Sequence, residues 1–161
     1  MTYVISIHSF RGGTGKSNTA ANLAALYALQ GKRVAIVDTD IPSPGIHVLF
    51  NLLPDQTHHT LNDYLWGECS IREAAYPVTS LLGNVPPGAS LHLVPSSVNA
   101  PDIARILRDG YDINLLSAAY RQLATDLQLD VLLVDTHPGL NEETLLSIAL
   151  SHALLIVMRP D

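Results

Sequence analysis

A glycine-rich segment between an apolar strand and a helix constrains the fold of this chain more than any other feature of its sequence. Residues 2–8 are β-branched and apolar enough for a buried strand, and residues 16–30 place alanine and leucine at helical spacing. Three glycines lie between them, within residues 11–17, and a second apolar strand follows at 34–37. A strand, a helix and a strand joined by tight connections form a βαβ unit, which predicts a parallel sheet with a right-handed crossover.

The rest of the chain continues this alternation of apolar strands and helices. We predict further strands at 91–94, 131–134 and 153–158, short helices at 60–66 and 71–75, and longer helices at 101–108, 112–128 and 142–150. Prolines and glycines place loops at 41–45 and 81–89. No internal repeat, low-complexity tract or interdomain linker separates these elements. The expected fold is a single three-layer α/β domain over residues 1–161, with a mainly parallel sheet.

The composition excludes several classes of partner and site. The chain has 9 Lys and Arg against 15 Asp and Glu and a formal net charge of −6, without a dense basic cluster. The sequence therefore gives no direct evidence for nucleic-acid or membrane binding. The single cysteine, Cys69, excludes an internal disulfide and a self-contained zinc or iron–sulfur site of cysteines. A single cysteine suits a reducing compartment, so we expect a cytoplasmic protein. No signal peptide or run of roughly 20 apolar residues is recognisable.

The glycine-rich segment has the properties of a phosphate-binding loop. Its glycines let backbone amides turn toward one point, and the N-terminus of the following helix adds partial positive charge. Lys16 adds a full charge, and the Ser17 hydroxyl can ligate magnesium. The strict pattern G-x-x-x-x-G-K-[ST] fails at its first position, which is Phe10. The remaining pattern, after a strand and before a helix, still indicates a site for the β- and γ-phosphates of a nucleotide.

Three segments resemble the motifs of one family, the MinD/ParA family of P-loop ATPases with a deviant Walker A motif. Residues 11–17 are similar to that motif, K-G-G-x-G-K-[ST]-T, with arginine at its first position. Residues 31–40 are similar to the family's second strand and first switch, and residues 130–139 to its Walker B strand and second switch. The resemblance covers the whole chain and implies a P-loop NTPase fold that binds ATP and Mg²⁺.

Three aspartates follow apolar strands at the edge where open parallel sheets bind ligands. Asp38 and Asp40 follow the second strand, and Asp135 follows the strand at 131–134. Carboxylates there suit Mg²⁺, which keeps several of its waters when it binds a triphosphate. The resemblance implies that Asp40 positions the attacking water and that the other two hold the metal's waters.

The resemblance also implies a complete set of site residues. The catalytic residues would be Lys16, Asp40 and Arg11. The magnesium site would be made by Ser17, Asp38 and Asp135. The nucleotide would be bound by Gly12, Gly13, Thr14, Gly15, Lys16, Ser17 and Asn18.

Three positions depart from the family pattern. Arg11 replaces a lysine that reaches across the family's dimer interface, so it either works as a charge on the transferred phosphoryl group or weakens that contact. Asn18 replaces a threonine that would contact the α-phosphate, for which Thr19 or backbone amides could compensate. His137 replaces a common proline and is either a structural residue of the second switch or a sensor of nucleotide or pH. Tyr64 and Trp66 are interpreted as core residues, with a partner-binding patch as the alternative.

Two hypotheses for the function follow from the resemblance. The first is an ATP-dependent dimerising switch, slow in hydrolysis until a protein partner stimulates it, of the kind used for intracellular positioning or partitioning. The second is a nucleotide-binding regulatory module that does not hydrolyse, which the substitutions at Arg11 and Asn18 favour. The chain stops just past the strand at 153–158, and family members are longer. We therefore expect a nucleotide-binding domain without its C-terminal strands and helices.

Overall fold

Strands and helices alternate along the chain as the sequence predicts. The computed structural model describes residues 1–160, apart from the side chain of Glu143. The strands are β1 Tyr3–His8, β2 Arg33–Asp38, β3 Tyr76–Pro77, β4 Ser90–Val94, β5 Val131–Asp135 and β6 Ala153–Ile156. The helices are α1 Lys16–Leu29, α2 Ile46–Leu49, α3 Leu61–Leu65, α4 Ala100–Asp109, α5 Asn114–Asp126 and α6 Glu142–Ala149. None of the helices in this described part is long and apolar enough to cross a membrane.

The described strands form one sheet in the order β3-β4-β2-β5-β1-β6. All neighbouring pairs are parallel except β3 with β4, which is antiparallel. The prediction of an α/β fold with a mainly parallel sheet is confirmed. This order places β2 and β1 on either side of β5, so the segments after these three strands leave from one edge of the sheet.

Each face of the sheet has its own apolar core, as three layers require. Val34 and Ile36 of β2 pack with α1 on one face, whereas Ala35 and Val37 pack with α5 on the other. All four side chains are fully buried. Burial on both faces explains why β2 is continuously apolar instead of alternating with polar residues.

Helix α1 approaches the sheet through small side chains. Ala20, Ala24 and Ala28 lie four residues apart, on one helix face, and all are fully buried against the sheet. The helix ends at Leu29 and is followed by Gly31, whose φ of 87° is the left-handed conformation typical after a helix C-terminus. The alanine face fixes the distance between α1 and the sheet, and with it the place where α1 begins.

We expect Ala24→Leu to lower the free energy of unfolding by about 1–3 kcal/mol, because three extra carbons would enter a closed helix–sheet contact. The measurement is the urea midpoint at unchanged slope. Ala25→Leu is the matched control, since Ala25 is only partly buried. Equal midpoints for the two variants would contradict the close approach of α1 to the sheet.

The predicted helix at 71–75 is wrong. Residues 71–74 form turns, and the chain then enters β3, a strand that the sequence did not predict. Ser70 and Glu73 begin the turn as a helix cap would, with the Ser70 amide and hydroxyl both donating to Glu73 Oε2 at 2.8 Å. Pro77 disfavours a helical conformation at Tyr76. The pairing of Tyr76 with Leu93 of β4 then prevents the turns at 71–74 from continuing as a helix.

Candidate functional site

The glycine-rich segment forms one wall of a cleft at the edge of the sheet. Gly13 and Gly15 have φ of 74° and 92°, a left-handed conformation that L side chains rarely adopt. The cleft has a volume of about 420 Å³. Its lining residues are Ser9, Gly12, Gly13, Gly15, Lys16, Ser17, Asn18, Asp40, Ser43, His137 and Pro138. Most of the residues expected to bind the nucleotide thus share one cleft with Asp40.

Two expected site residues, Arg11 and Thr14, line a neighbouring cleft. They lie there with Phe10, Gly12 and the segment 157–160, around a space of about 450 Å³. Arg11 is exposed, and Gly12 is common to both clefts. The structure therefore separates Arg11 from Asp40 and Lys16, with which it was grouped from the resemblance.

The register of β2 and β5 brings two of the aspartates side by side. Asp38 is paired with Asp135 in the parallel ladder, each at the end of its strand. The following threonines fix this edge: the Thr39 hydroxyl donates to the Asp135 carbonyl at 3.0 Å, and the Thr136 hydroxyl to the Ile7 carbonyl at 3.0 Å. The aspartate side chains thus project from a backbone that is bonded from strand to strand.

Lys16 is the buried cation of the site. Only 5% of its side chain is exposed, and its Nζ donates to Asp135 Oδ1 at 2.6 Å. Asp40 Oδ2 lies 3.9 Å from the same nitrogen. Lys16 begins α1, so its ammonium group adds to the positive end of that helix. The arrangement keeps a positive charge beside the glycine amides, where a phosphate oxygen would sit.

Burial works against the negative charge of Asp38 and Asp135. Loss of solvent, together with the neighbouring charge of Asp135, raises the pKa of Asp38 to about 8, although the Asp40 amide opposes the shift by donating to Asp38 Oδ1. Burial also raises the pKa of Asp135, against the opposing effect of Lys16. A cation added to this edge of the sheet would favour the charged forms of both groups.

The residues at this edge fit a hydrated magnesium ion. Asp38 Oδ2 and Asp135 Oδ2 are buried without a hydrogen-bond partner in the described structure, and both can accept from metal-bound water. Ser17 lines the same cleft as Lys16. Within residues 1–160, no three His, Cys, Asp or Glu side chains are arranged to hold a metal directly.

We expect Asp38→Asn to stabilise the nucleotide-free protein at neutral and alkaline pH. The pKa of Asp38 is about 8 when folded and 3.8 as its reference value, so the folded state binds the proton more tightly. Stability from this group therefore falls as the pH rises between the two values, by at most about 1.4 kcal/mol per pH unit. The measurement is the urea midpoint from about pH 5 to about pH 9.

The control for this prediction is Asp130→Asn. Hydrogen bonds from Arg33 lower the pKa of Asp130 to about 2, so this group stays ionised throughout the tested range. Asp130→Asn should shift the unfolding midpoint equally at every pH, whereas Asp38→Asn should flatten its pH dependence. A parallel shift in both variants would contradict the buried, easily protonated state of Asp38.

The substituted position Asn18 lies at the cleft, whereas the Thr19 hydroxyl is hydrogen-bonded to the backbone. Asn18 lines the cleft and is exposed. The Thr19 hydroxyl donates to the Gly15 carbonyl at 2.9 Å, and Thr19 is not among the lining residues. The suggestion that Thr19 takes the place of the missing threonine is therefore not supported.

Sequence reasoning missed a contact between the two switch segments. His137 Nδ1 lies 2.6 Å from Asp40 Oδ1, and His8 Nδ1 lies 2.9 Å from the Thr136 hydroxyl. The sequence does hold a signal for the first contact, because β2 and β5 both end in Val-Asp and are both followed by threonine. With Asp38 and Asp135 in register, Asp40 and His137 each lie two residues beyond a paired position.

Tyr64 of α3 and Trp66, which directly follows this helix, pack toward the core, as interpreted from the sequence. Tyr64 Oη donates to the Leu115 carbonyl at 3.0 Å, and both aromatic rings contact the core on the α5 face. The Arg105 guanidinium lies 3.8 Å from the centre of the Trp66 ring and pairs with Glu68 at 3.1 Å. These contacts tie α3 to α4 and α5.

The fold and the cleft together define a P-loop NTPase domain. Among such proteins the chain belongs to the ParA family, since the family model described as NUBPL iron-transfer P-loop NTPase matches residues 1–161. The resemblance found from the three motifs is thereby confirmed.

Named relatives share the fold over nearly the whole chain. The uncharacterized ATP-binding protein MJ0547 of Methanocaldococcus jannaschii is 29% identical over 100% of this chain and 54% of its own length. The flagellum site-determining protein YlxH of Helicobacter pylori is 29% identical over 99% of this chain and 49% of its own length. The septum site-determining protein MinD of Pyrococcus horikoshii, in complex with Mg-ADP, has a TM-score of 0.79 at 24% identity, over 100% of this chain and 59% of that one. The chain thus spans about half the length of the curated relatives it matches.

Proposed function

We propose that the chain is the nucleotide-binding domain of an ATP-dependent dimerising switch that hydrolyses Mg-ATP slowly to ADP and phosphate. One observation carries this proposal: Lys16, the glycine-rich loop and Asp40 line a single cleft beside the paired carboxylates of Asp38 and Asp135. A phosphate-binding loop alone would bind the nucleotide without hydrolysing it. A carboxylate in the same cleft adds a group that can orient a water molecule.

Each residue has a role that follows from its place. Lys16 and the amides of Gly13 and Gly15 would bind the β- and γ-phosphates. Ser17, Asp38 and Asp135 would hold Mg²⁺, which when bound neutralises charge on the phosphates. Asp40, whose Oδ2 lies 3.9 Å from Lys16 Nζ, would orient the attacking water. The supporting facts are the burial of Lys16 and the partnerless oxygens of the two strand-end aspartates.

The proposal includes an ATP-dependent homodimer and a protein partner that stimulates hydrolysis. Arg11 is exposed beside Phe10, a large apolar side chain that is 54% exposed, at the mouth of the neighbouring cleft. This surface suits contact with a second copy, in which Arg11 would reach the partner's nucleotide as the family's lysine does. Relatives named for determining flagellar and septal sites support a role in positioning, which we place in the cytoplasm.

Iron–sulfur chemistry is a weaker proposal for these residues, although the family model is named for iron transfer. Cys69 is the single cysteine in the sequence, and burial raises the pKa of its thiol to about 11. A single cysteine cannot by itself supply the several thiolates that hold an iron–sulfur cluster. The nucleotide cleft is therefore the feature on which we base the function.

The competing hypothesis is a regulatory module that binds nucleotide without hydrolysis. It is favoured by the departures from the family pattern at Arg11 and Asn18, the second of which Thr19 does not offset because its hydroxyl donates to the Gly15 carbonyl. The test is to titrate the chain with Mg-ATP while following bound nucleotide, released phosphate and molecular mass. Binding with phosphate release and a doubled mass supports the switch. Binding without release supports the regulatory module, and absence of binding contradicts both.

A further inference from the structure

The contact between Asp40 and His137 joins the two segments that border the proposed γ-phosphate site. The residues are far apart in sequence, one after β2 and the other after β5, yet His137 Nδ1 and Asp40 Oδ1 are 2.6 Å apart. Both side chains line the cleft. Asp40 is nearly buried, with 11% of its side chain exposed, whereas His137 is 31% exposed. A short contact with a nearly buried carboxylate restricts how that carboxylate can rotate.

The backbone on both sides of His137 is anchored. The Thr136 amide and hydroxyl both donate to the Ile7 carbonyl, and the Gly139 amide donates to the Ser9 carbonyl at 3.0 Å. The Thr136 hydroxyl also meets His8 Nδ1. His137 therefore projects from a segment that is hydrogen-bonded to β1 and to the start of the glycine-rich loop. Because this backbone is anchored, the His137 side chain can hold the Asp40 carboxylate in one position.

The Asp40 carboxylate is held in place more by His137 than by the nearby ammonium group of Lys16. Its other oxygen, Oδ2, lies 3.9 Å from Lys16 Nζ, beyond hydrogen-bond distance, because Lys16 makes its short contact with Asp135. A carboxylate can only accept hydrogen bonds, so Nδ1 of His137 must carry the proton that is shared with Oδ1. This leaves Oδ2 toward Lys16 as the oxygen available to a water molecule.

We propose that His137 is a positioning residue that fixes the Asp40 carboxylate through Nδ1 so that Oδ2 can orient the attacking water. The inference rests on the proposed function and assigns a role at the position where the sequence departs from the family's proline. Because the contact joins the segments after β2 and β5, a displacement of either segment also displaces the carboxylate. His137 itself touches neither the water nor the phosphate in this role.

The test compares three substitutions of His137 by steady-state phosphate release. We expect His137→Ala to lower kcat about tenfold or more while KM for Mg-ATP stays close to the parent's, because misplacing a group that orients the nucleophile costs rate more than binding. His137→Asn should recover most of kcat, since its amide can donate from near the position of Nδ1. His137→Gln, whose amide lies near the position of Nε2, should not. His58→Ala is the control, because His58 is exposed and lies outside the cleft.

Several results would overturn the inference. A merely structural role would change KM and thermal stability together, and asparagine and glutamine would then behave alike. Unchanged kcat in His137→Ala, with parent hydrolysis that requires Lys16, would overturn the inference and leave the proposed function intact.

A second measurement does not depend on hydrolysis. In ¹⁵N-resolved NMR of the histidine rings, His137 should show a protonated Nδ1 whose resonance shifts in Asp40→Ala. A parent without Lys16-dependent hydrolysis would overturn the proposed function. The NMR result would then test only the contact between His137 and Asp40. A His137 resonance that does not shift in Asp40→Ala would overturn the inferred contact.

Discussion

Lys16→Ala should abolish nucleotide binding, with an expected loss of Mg-ATP affinity of about 100-fold or more. The reason is that truncating a buried charge that meets an opposite charge costs about 2–5 kcal/mol of binding energy. The ammonium group also offsets the burial of Asp135, to which it donates at 2.6 Å. Calorimetric titration of the variant with Mg-ATP checks the prediction. An unchanged affinity would contradict the assignment of residues 11–17 as a phosphate-binding loop.

This variant needs controls for folding, because it leaves Asp135 buried without its cation. Removing one partner of a buried pair destabilises a protein by about 3–5 kcal/mol, enough to confuse lost binding with lost structure. Lys16→Gln keeps a hydrogen-bond donor for Asp135, so its melting temperature should be closer to the parent's. It should still fail to bind Mg-ATP. Lys32→Ala removes a lysine that is exposed and should bind like the parent.

Asp40→Ala should separate hydrolysis from binding. We expect kcat to fall about 100-fold, within the range for loss of a group that orients or activates a nucleophile, while Mg-ATP affinity stays close to the parent's. Affinity should survive because Lys16 keeps its short contact with Asp135, not with Asp40. Phosphate release under single-turnover conditions is the measurement.

The control for Asp40→Ala is Asp55→Ala, which removes an exposed carboxylate from the 3₁₀ helix Pro54–Gln56, outside the cleft. It should hydrolyse ATP at the parent rate. If Asp40→Ala does the same, Asp40 has no part in catalysis. If Asp40→Ala instead loses affinity, the carboxylate contributes to nucleotide binding, and a role in hydrolysis alone is wrong.

The βαβ unit and the edge that carries the site could be read from the sequence because local signals agree there. The apolar run of β2 ends at Asp38, the glycine-rich loop follows β1, and helical spacing begins at Lys16. Parallel strands end at a common edge, so Asp38 and Asp135 could be placed together without knowing the strand order. Their register, side by side on adjacent strands, needed the structure.

The features that sequence reasoning missed depend on contacts between distant segments. Residues 71–74 have a helix-like start, but pairing of Tyr76 with β4 competes with the helix and prevails. The bond between His137 and Asp40 depends on β2 and β5 being neighbours in register, which neither segment reveals alone. Local propensity carries no information about a partner about a hundred residues away.

The contact between Trp66 and Arg105 has an optical consequence. Trp66 is the single tryptophan of the chain, and its ring lies beneath a guanidinium group that bridges α3 and α4. Indole emission responds to a nearby charge and to water, so its spectrum should change when these two helices part on unfolding. None of the substitutions proposed above alters Trp66 or Arg105. The intrinsic fluorescence of each variant therefore reports whether it is folded, in the same sample and without an added dye.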